Sequence, residues 1–134
     1  MKPGNATLVA GIGCRSGVSA AEIKAAVEAA FARQAVGGRR PDLLAAPAAR
    51  DGEDGIREAA AALGVGLLWI SQTALEAADP GTRTYSARSM AAMNVHSVAE
   101  ASALAAAGPN ARLLVERLTL GPVTCALAQA ESLP

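Results

Sequence analysis

The stretch LVAGIGCRSGVSAAEI, residues 8–23, passes from a short apolar run through a glycine-rich turn to a helix start, and the fold is read outward from it. The apolar run, taken from residue 6 to residue 13, is short and closed by glycine, as a buried strand is. Ser19 opens the helix. Glu22, three residues on, completes a capping box, and Val18 and Ile23 hold the two positions of a hydrophobic staple. Ile23, Val27, Ala30 and Phe31 then recur at helical spacing and define the face turned toward a sheet. The GGRRP stretch at 37–41 ends that helix.

The same alternation continues along the chain. DLLAAP (42–47) is a second strand, followed by the charged turn ARDGEDG and a helix from about Asp54 to Leu63 that stops at Gly64. VGLLWIS (65–71) is a third strand, expected to be central from its composition. QTALEAA forms a short helix broken by DPGTRT, the least ordered-looking part of the chain, and YSARSMAAMN is helical or irregular. Ser97 with Glu100 reads as a second capping box, and Gly108 as a left-handed cap ahead of Pro109. ARLLVERLTL and GPVTCALAQA close the chain as two strands joined around Gly121 and Pro122. The expected fold is α/β: three layers, α/β/α, with a mixed, mostly parallel sheet of about five strands, in one domain over residues 1–134.

Composition narrows the function classes. Apolar residues make up 51% of the 134, yet only Phe31, Trp69 and Tyr85 are aromatic, so the core is built from alanine, leucine and valine. Twelve basic and twelve acidic residues balance, which argues against nucleic acid or an acidic membrane as partner. No leader-like segment and no long apolar run stand in the sequence, so a cytoplasmic location is expected. Cys14, Cys125 and the lone His96 match no metal spacing; no metal and no cofactor are expected.

No enzyme motif is complete. Gly11, Gly13 and Gly17 are spaced one residue longer than the dinucleotide fingerprint, and Asp42 begins the second strand where an acidic residue should end it. The phosphate-loop and nucleophile-elbow patterns also fail. What remains is general: glycines that let a ligand approach the backbone, helix-start amides that attract carboxylate or phosphate, and Arg15 to pair with it. The plain alternative is that the glycines only turn the chain.

Taken together, GIGCRSGVSAAEI, RDGEDGI, SVAEASALAAAG and LLVERLTLGPVTCALA resemble the ordered landmarks of the CobE / CbiG C-terminal domain family of cobalamin biosynthesis. The resemblance spans about residues 7–129 and is closer to the stand-alone CobE type than to full-length CbiG. It implies a role in building the corrin ring in the aerobic, late-cobalt pathway, with a precorrin or hydrogenobyrinic-acid-type tetrapyrrole as ligand and other pathway enzymes as partners. The ligand that the resemblance implies is a large flat ring with seven or eight carboxylate arms. Carried over by position, Gly11, Gly13, Cys14, Arg15, Gly17, Ser19, Ser97 and Glu100 are the expected ligand-binding residues. In the middle motif Arg50, Glu53, Gly55 and Ile56 match, with arginine where relatives carry lysine. Asn94 stands near where many relatives carry glycine.

Two function classes stay open at this point. A non-catalytic carrier or accessory factor would need only an anion-binding rim. An enzyme, either a lactone hydrolase like cobalt-precorrin-5A hydrolase or an isomerase, would draw its general acid or base from Glu100, Glu53 or His96. A purely structural subunit would bind no tetrapyrrole.

Overall fold

The strand Leu8–Cys14 (β1) lies at the middle of the fold in a computed structural model that describes residues 7–34 and 40–130. On one side it pairs parallel with β2 (Leu43–Pro47), which pairs parallel with β3 (Gly66–Ile70). On the other side it pairs antiparallel with β5 (Val123–Gln129), which carries β4 (Arg112–Leu120) antiparallel at the edge. The order is β3-β2-β1-β5-β4, so four strands run one way and β5 alone opposes them. This is the mixed, mostly parallel α/β sheet that the alternation of segments predicts.

Two helices, α1 (Ala20–Arg33) and α2 (Asp54–Leu63), cover one face. The other face is covered by α3 (Gln72–Ala78) and α5 (Val98–Ala107), with the short α4 (Ala87–Met93) leading into α5. The two faces of β1 follow from its alternation. Ala10 and Ile12 join the core under α1 and α2, while Val9 joins the core under α5. Gly11 faces α5 too, and closely: a Cβ built there would lie 2.0 Å from the Ala99 carbonyl and 2.6 Å from the Ala103 amide. An alanine-rich helix thus meets a glycine strand backbone to backbone. Every residue of α5 from Val98 to Leu104 is buried, as a helix that is apolar nearly all round should be.

Local expectations hold where the determining residues are neighbours. Glu22 N–H donates to Ser19 Oγ at 3.1 Å and Ser19 N–H returns to Glu22 Oε1 at 3.0 Å, closing the capping box. Val18 and Ile23 are both buried. Gly64 ends α2 in the left-handed conformation. Asn94, at φ 57°, ends α4 the same way, which explains why glycine suits that position. The helix stop expected at 37–41 falls, for 37–39, outside the described residues.

Other expectations are corrected. The third strand is an edge strand, not a central one: Leu67 and Trp69 pack toward α2 while Leu68 is 43% exposed. An apolar run covered on one face has the same composition as one covered on both, so composition could not separate them. Gly108 has φ 96° and ψ −168°, glycine-only territory but not the left-handed helical cap expected. The Ser97 box is half a box. Glu100 N–H donates to Ser97 Oγ at 3.2 Å, but the Glu100 side chain turns away into the core.

What Glu100 does instead orders the segment expected to be least ordered. Its fully buried carboxylate accepts from Arg83 N–H at 2.5 Å, Thr84 N–H at 3.2 Å, Thr84 Oγ1 at 2.8 Å and, in β4, Arg117 N–H at 2.9 Å. Arg117 N–H is available because β4 bulges there: the three steps from Val115 to Leu118 face two steps of β5, Leu127 to Cys125. The bulge also keeps Val115 and Leu118 on the same core face.

Candidate functional site

A cavity of about 200 Å³ opens where β1 and β2 end and the β4–β5 hairpin turns. The carboxyl ends of parallel strands are where open α/β sheets form their crevices, here beside the strand from which the chain winds outward in both directions. One wall comes from α4 and Val98, the first residue of α5.

Four arginines line it: Arg15 from the turn after β1, Arg50 from the turn after β2, Arg88 from α4 and Arg117 from the β4 bulge. No aspartate, glutamate or histidine lines it. Among the described residues, none of these four arginines has a carboxylate within ion-pair distance. Guanidinium groups stay charged at any physiological pH, so the wall carries four positive charges and no counter-charge of its own. The chemistry of the donor set suits an anion with several oxygens, such as carboxylates, which arginine meets with paired donors.

The turns that present these arginines are tied together. Gly17 N–H donates to Glu53 Oε1 at 2.9 Å, Arg50 Nη1 to Ser16 Oγ at 3.3 Å, and Arg15 N–H to the Pro122 carbonyl at 3.2 Å. The glycine turn, the RDGEDG turn and the hairpin turn therefore form one rim.

The expected ligand-binding residues divide. Gly13, Cys14 and Arg15 line the cavity. Gly11 is in the core against α5, and Gly17, at φ 79°, is an exposed turn residue beside the rim. Ser19 and Ser97 cap their helices. The start of α5 is already engaged, since Val98 N–H donates to Ser89 Oγ at 3.3 Å and Glu100 N–H to Ser97. The three candidate acid–base residues are elsewhere. Glu53 holds Gly17, Glu100 is enclosed, and His96 is bonded to Asp79 through both its backbone N–H and its ring Nδ1, each at 2.7 Å. Arg88 and Arg117 also line the cavity, and no motif in the sequence singles them out. Each stands alone in its sequence neighbourhood, and only the topology brings them to residues 15 and 50.

Cys14 sits half-buried on the cavity wall. Burial pushes its thiol up, with Arg50 pulling it down and Glu53 pushing it up more weakly. Cys125 is fully buried and pushed up to about 12. The thiolate is the nucleophile, so a raised thiol reacts slowly near neutral pH. With iodoacetamide at pH 7 the folded protein is expected to label at Cys14 more slowly than a free thiol, faster as pH rises, and not at Cys125. Rapid labelling of Cys14 at pH 7 would show an activated thiol instead.

Among the described residues no helix is long and apolar enough to cross a membrane, and no cluster of three or more His, Cys, Asp or Glu gathers for a metal. The sequence matches the family described as Cobalamin synthesis G C-terminus over residues 8–128. The structure is similar to that of CobE, a protein from the cobalamin (vitamin B12) biosynthetic pathway, at 30% identity and TM-score 0.87, covering 100% of this chain and 97% of that one. It is also similar to cobalamin biosynthesis protein chiG from Agrobacterium tumefaciens, at 38% identity and TM-score 0.74, over 94% of this chain and 100% of that one. A putative cobalamin biosynthesis protein G homolog from Sulfolobus solfataricus shares the fold at 21% identity and TM-score 0.71, over 94% of this chain and 37% of that one. No curated protein sequence matches the chain significantly.

Proposed function

Because the chain belongs to the Cobalamin synthesis G C-terminus family and so to cobalamin biosynthesis, we propose that it binds a carboxylate-rich tetrapyrrole of the precorrin or hydrogenobyrinic-acid type, as a carrier or accessory factor for other cytoplasmic enzymes of the pathway. The observation that carries this reading is the cavity lined by Arg15, Arg50, Arg88 and Arg117 with no acidic residue on its wall. At about 200 Å³ the cavity is smaller than the roughly 300–1,000 Å³ of sites that enclose a drug-sized ligand. The acidic arms of the ring enter it, and the ring itself lies across the mouth. Carrier function needs no acid–base group there, and Glu53, Glu100 and His96 are each committed to structural bonds.

The test is a visible-absorbance titration of the protein with hydrogenobyrinic acid, followed over time. A saturable shift that then stays constant is expected. A shift that evolves into a new spectrum would mean catalysis, and none would remove the tetrapyrrole reading. In the same titration Arg15→Ala is expected to weaken binding several-fold. Its melting temperature should barely move, because Arg15 is exposed and its structural bond is made by its backbone.

A further inference from the structure

We propose that Arg117, rather than the arginine of the glycine turn, is the residue that selects carboxylate in the cavity; this rests on the tetrapyrrole reading above. Two observations meet at this residue. Its Nε is buried and has no hydrogen-bond partner, although the residue lines the cavity. A buried donor left unpaired is costly, so such groups are rare and call for a partner. Its position is also held by an unusual device. The β4 bulge takes its backbone N–H out of the ladder with β5, and Glu100 Oε2 accepts it at 2.9 Å.

The bulge has a directional consequence. Val115 and Leu118 both pack into the core under α1 and α2, and Arg117, between them, reaches the cavity walled by Val98 on the opposite face. Bulges commonly re-aim a side chain beside a site. Glu100 pins that bulge from the buried face of α5 and at the same time pins residues 83 and 84, the segment that leads to α4 and its Arg88. One carboxylate therefore ties the backbone of Arg117 to the segment that precedes α4. Arg15 and Arg88, both exposed, contribute charge that water and salt screen. The half-buried Arg117 contributes a guanidinium on a backbone held in place, whose paired donors a carboxylate satisfies and an amide or ester arm, lacking the charge, satisfies poorly. The ligand class is thus the acid form of the ring, bound before any reaction that neutralises its arms.

The experiment is a titration of wild type, Arg117→Lys and Arg117→Ala with hydrogenobyrinic acid, with its permethyl ester, and with citrate as a small polycarboxylate. A hydrogen bond to a charged group is worth about 1.5–3 kcal/mol, so Arg117→Ala is expected to lose about 10- to 100-fold in affinity for the acid. Arg117→Lys is expected to lose most of the same factor, because lysine keeps the charge and lacks the guanidinium's paired planar donors. The ester is expected to bind weakly to wild type and no more weakly to the variants. Lysine binding the acid like wild type would overturn the assignment, since any positive charge would then suffice. Equal binding of ester and acid by wild type would overturn it too. Should wild type bind no tetrapyrrole, the reading above fails, and citrate decides this one: Arg117-dependent citrate binding supports it, and absent or Arg117-independent binding overturns it. Melting temperatures of both variants should stay near wild type, because the structural bond at this residue is made by its backbone.

Discussion

Glu100→Ala is expected to cost about 4–6 kcal/mol of folding free energy, close to the whole stability of many domains of this size. The carboxylate is 0% exposed and accepts three backbone N–H groups and one hydroxyl. Alanine leaves all four donors without an acceptor, at about 1–3 kcal/mol for each that water cannot reach. It also leaves a void where the side chain stood. Glu100→Gln separates shape from charge. Its carbonyl can serve the Arg83 and Thr84 amides, but its NH₂ would then confront the Arg117 N–H, so a loss of about 2–4 kcal/mol is expected. Urea unfolding followed by circular dichroism measures both. A loss under about 1 kcal/mol for the alanine variant would mean that the carboxylate does not hold the 83–84 segment and β4 together.

The second large effect is expected at Gly11. An alanine Cβ there would press on the Ala99 carbonyl and the Ala103 amide, both backbone atoms of α5, so no side-chain rotation relieves it. The strand or the helix must move. Overpacking of a filled core costs about 1–3 kcal/mol and occasionally more, and a rigid backbone-to-backbone contact belongs at the upper end. For a domain of this length a loss of about 3 kcal/mol lowers the melting temperature by roughly 10 °C. Because the nearest clash is with a carbonyl, Gly11→Ala combined with Ala103→Gly should remain nearly as unstable as Gly11→Ala alone. Full rescue by the second change would show that the contact is a side-chain one.

Much of the molecule was legible where a residue's role is decided within a turn of its neighbours. Ser19, Glu22, Val18 and Ile23 announce the start of α1 because capping and stapling are contacts between positions at most five residues apart. Gly64 announces the end of α2 because a left-handed backbone is a property of one residue. The order of strand and helix segments implied layers, and the layers are there. The Ser97–Glu100 pair shows the limit of such reading. It has the spacing of a capping box, yet the Glu100 side chain goes to Arg83, Thr84 and Arg117, each 16 or 17 residues away. Three backbone donors around a buried carboxylate outcompete one amide at a helix start.

By itself, then, the sequence determined the α/β architecture, the glycine turn after β1 and the family landmarks, since these depend on local spacing and on apolar periodicity. The tertiary structure alone decided that the third strand is an edge, that Gly11 serves a helix contact, and that Arg15, Arg50, Arg88 and Arg117 share one cavity. The physical reason is distance along the chain. A cavity wall made from residues 15, 50, 88 and 117 exists only after parallel and antiparallel strand pairing and the bulging of β4 have brought four separate segments to the same end of the sheet.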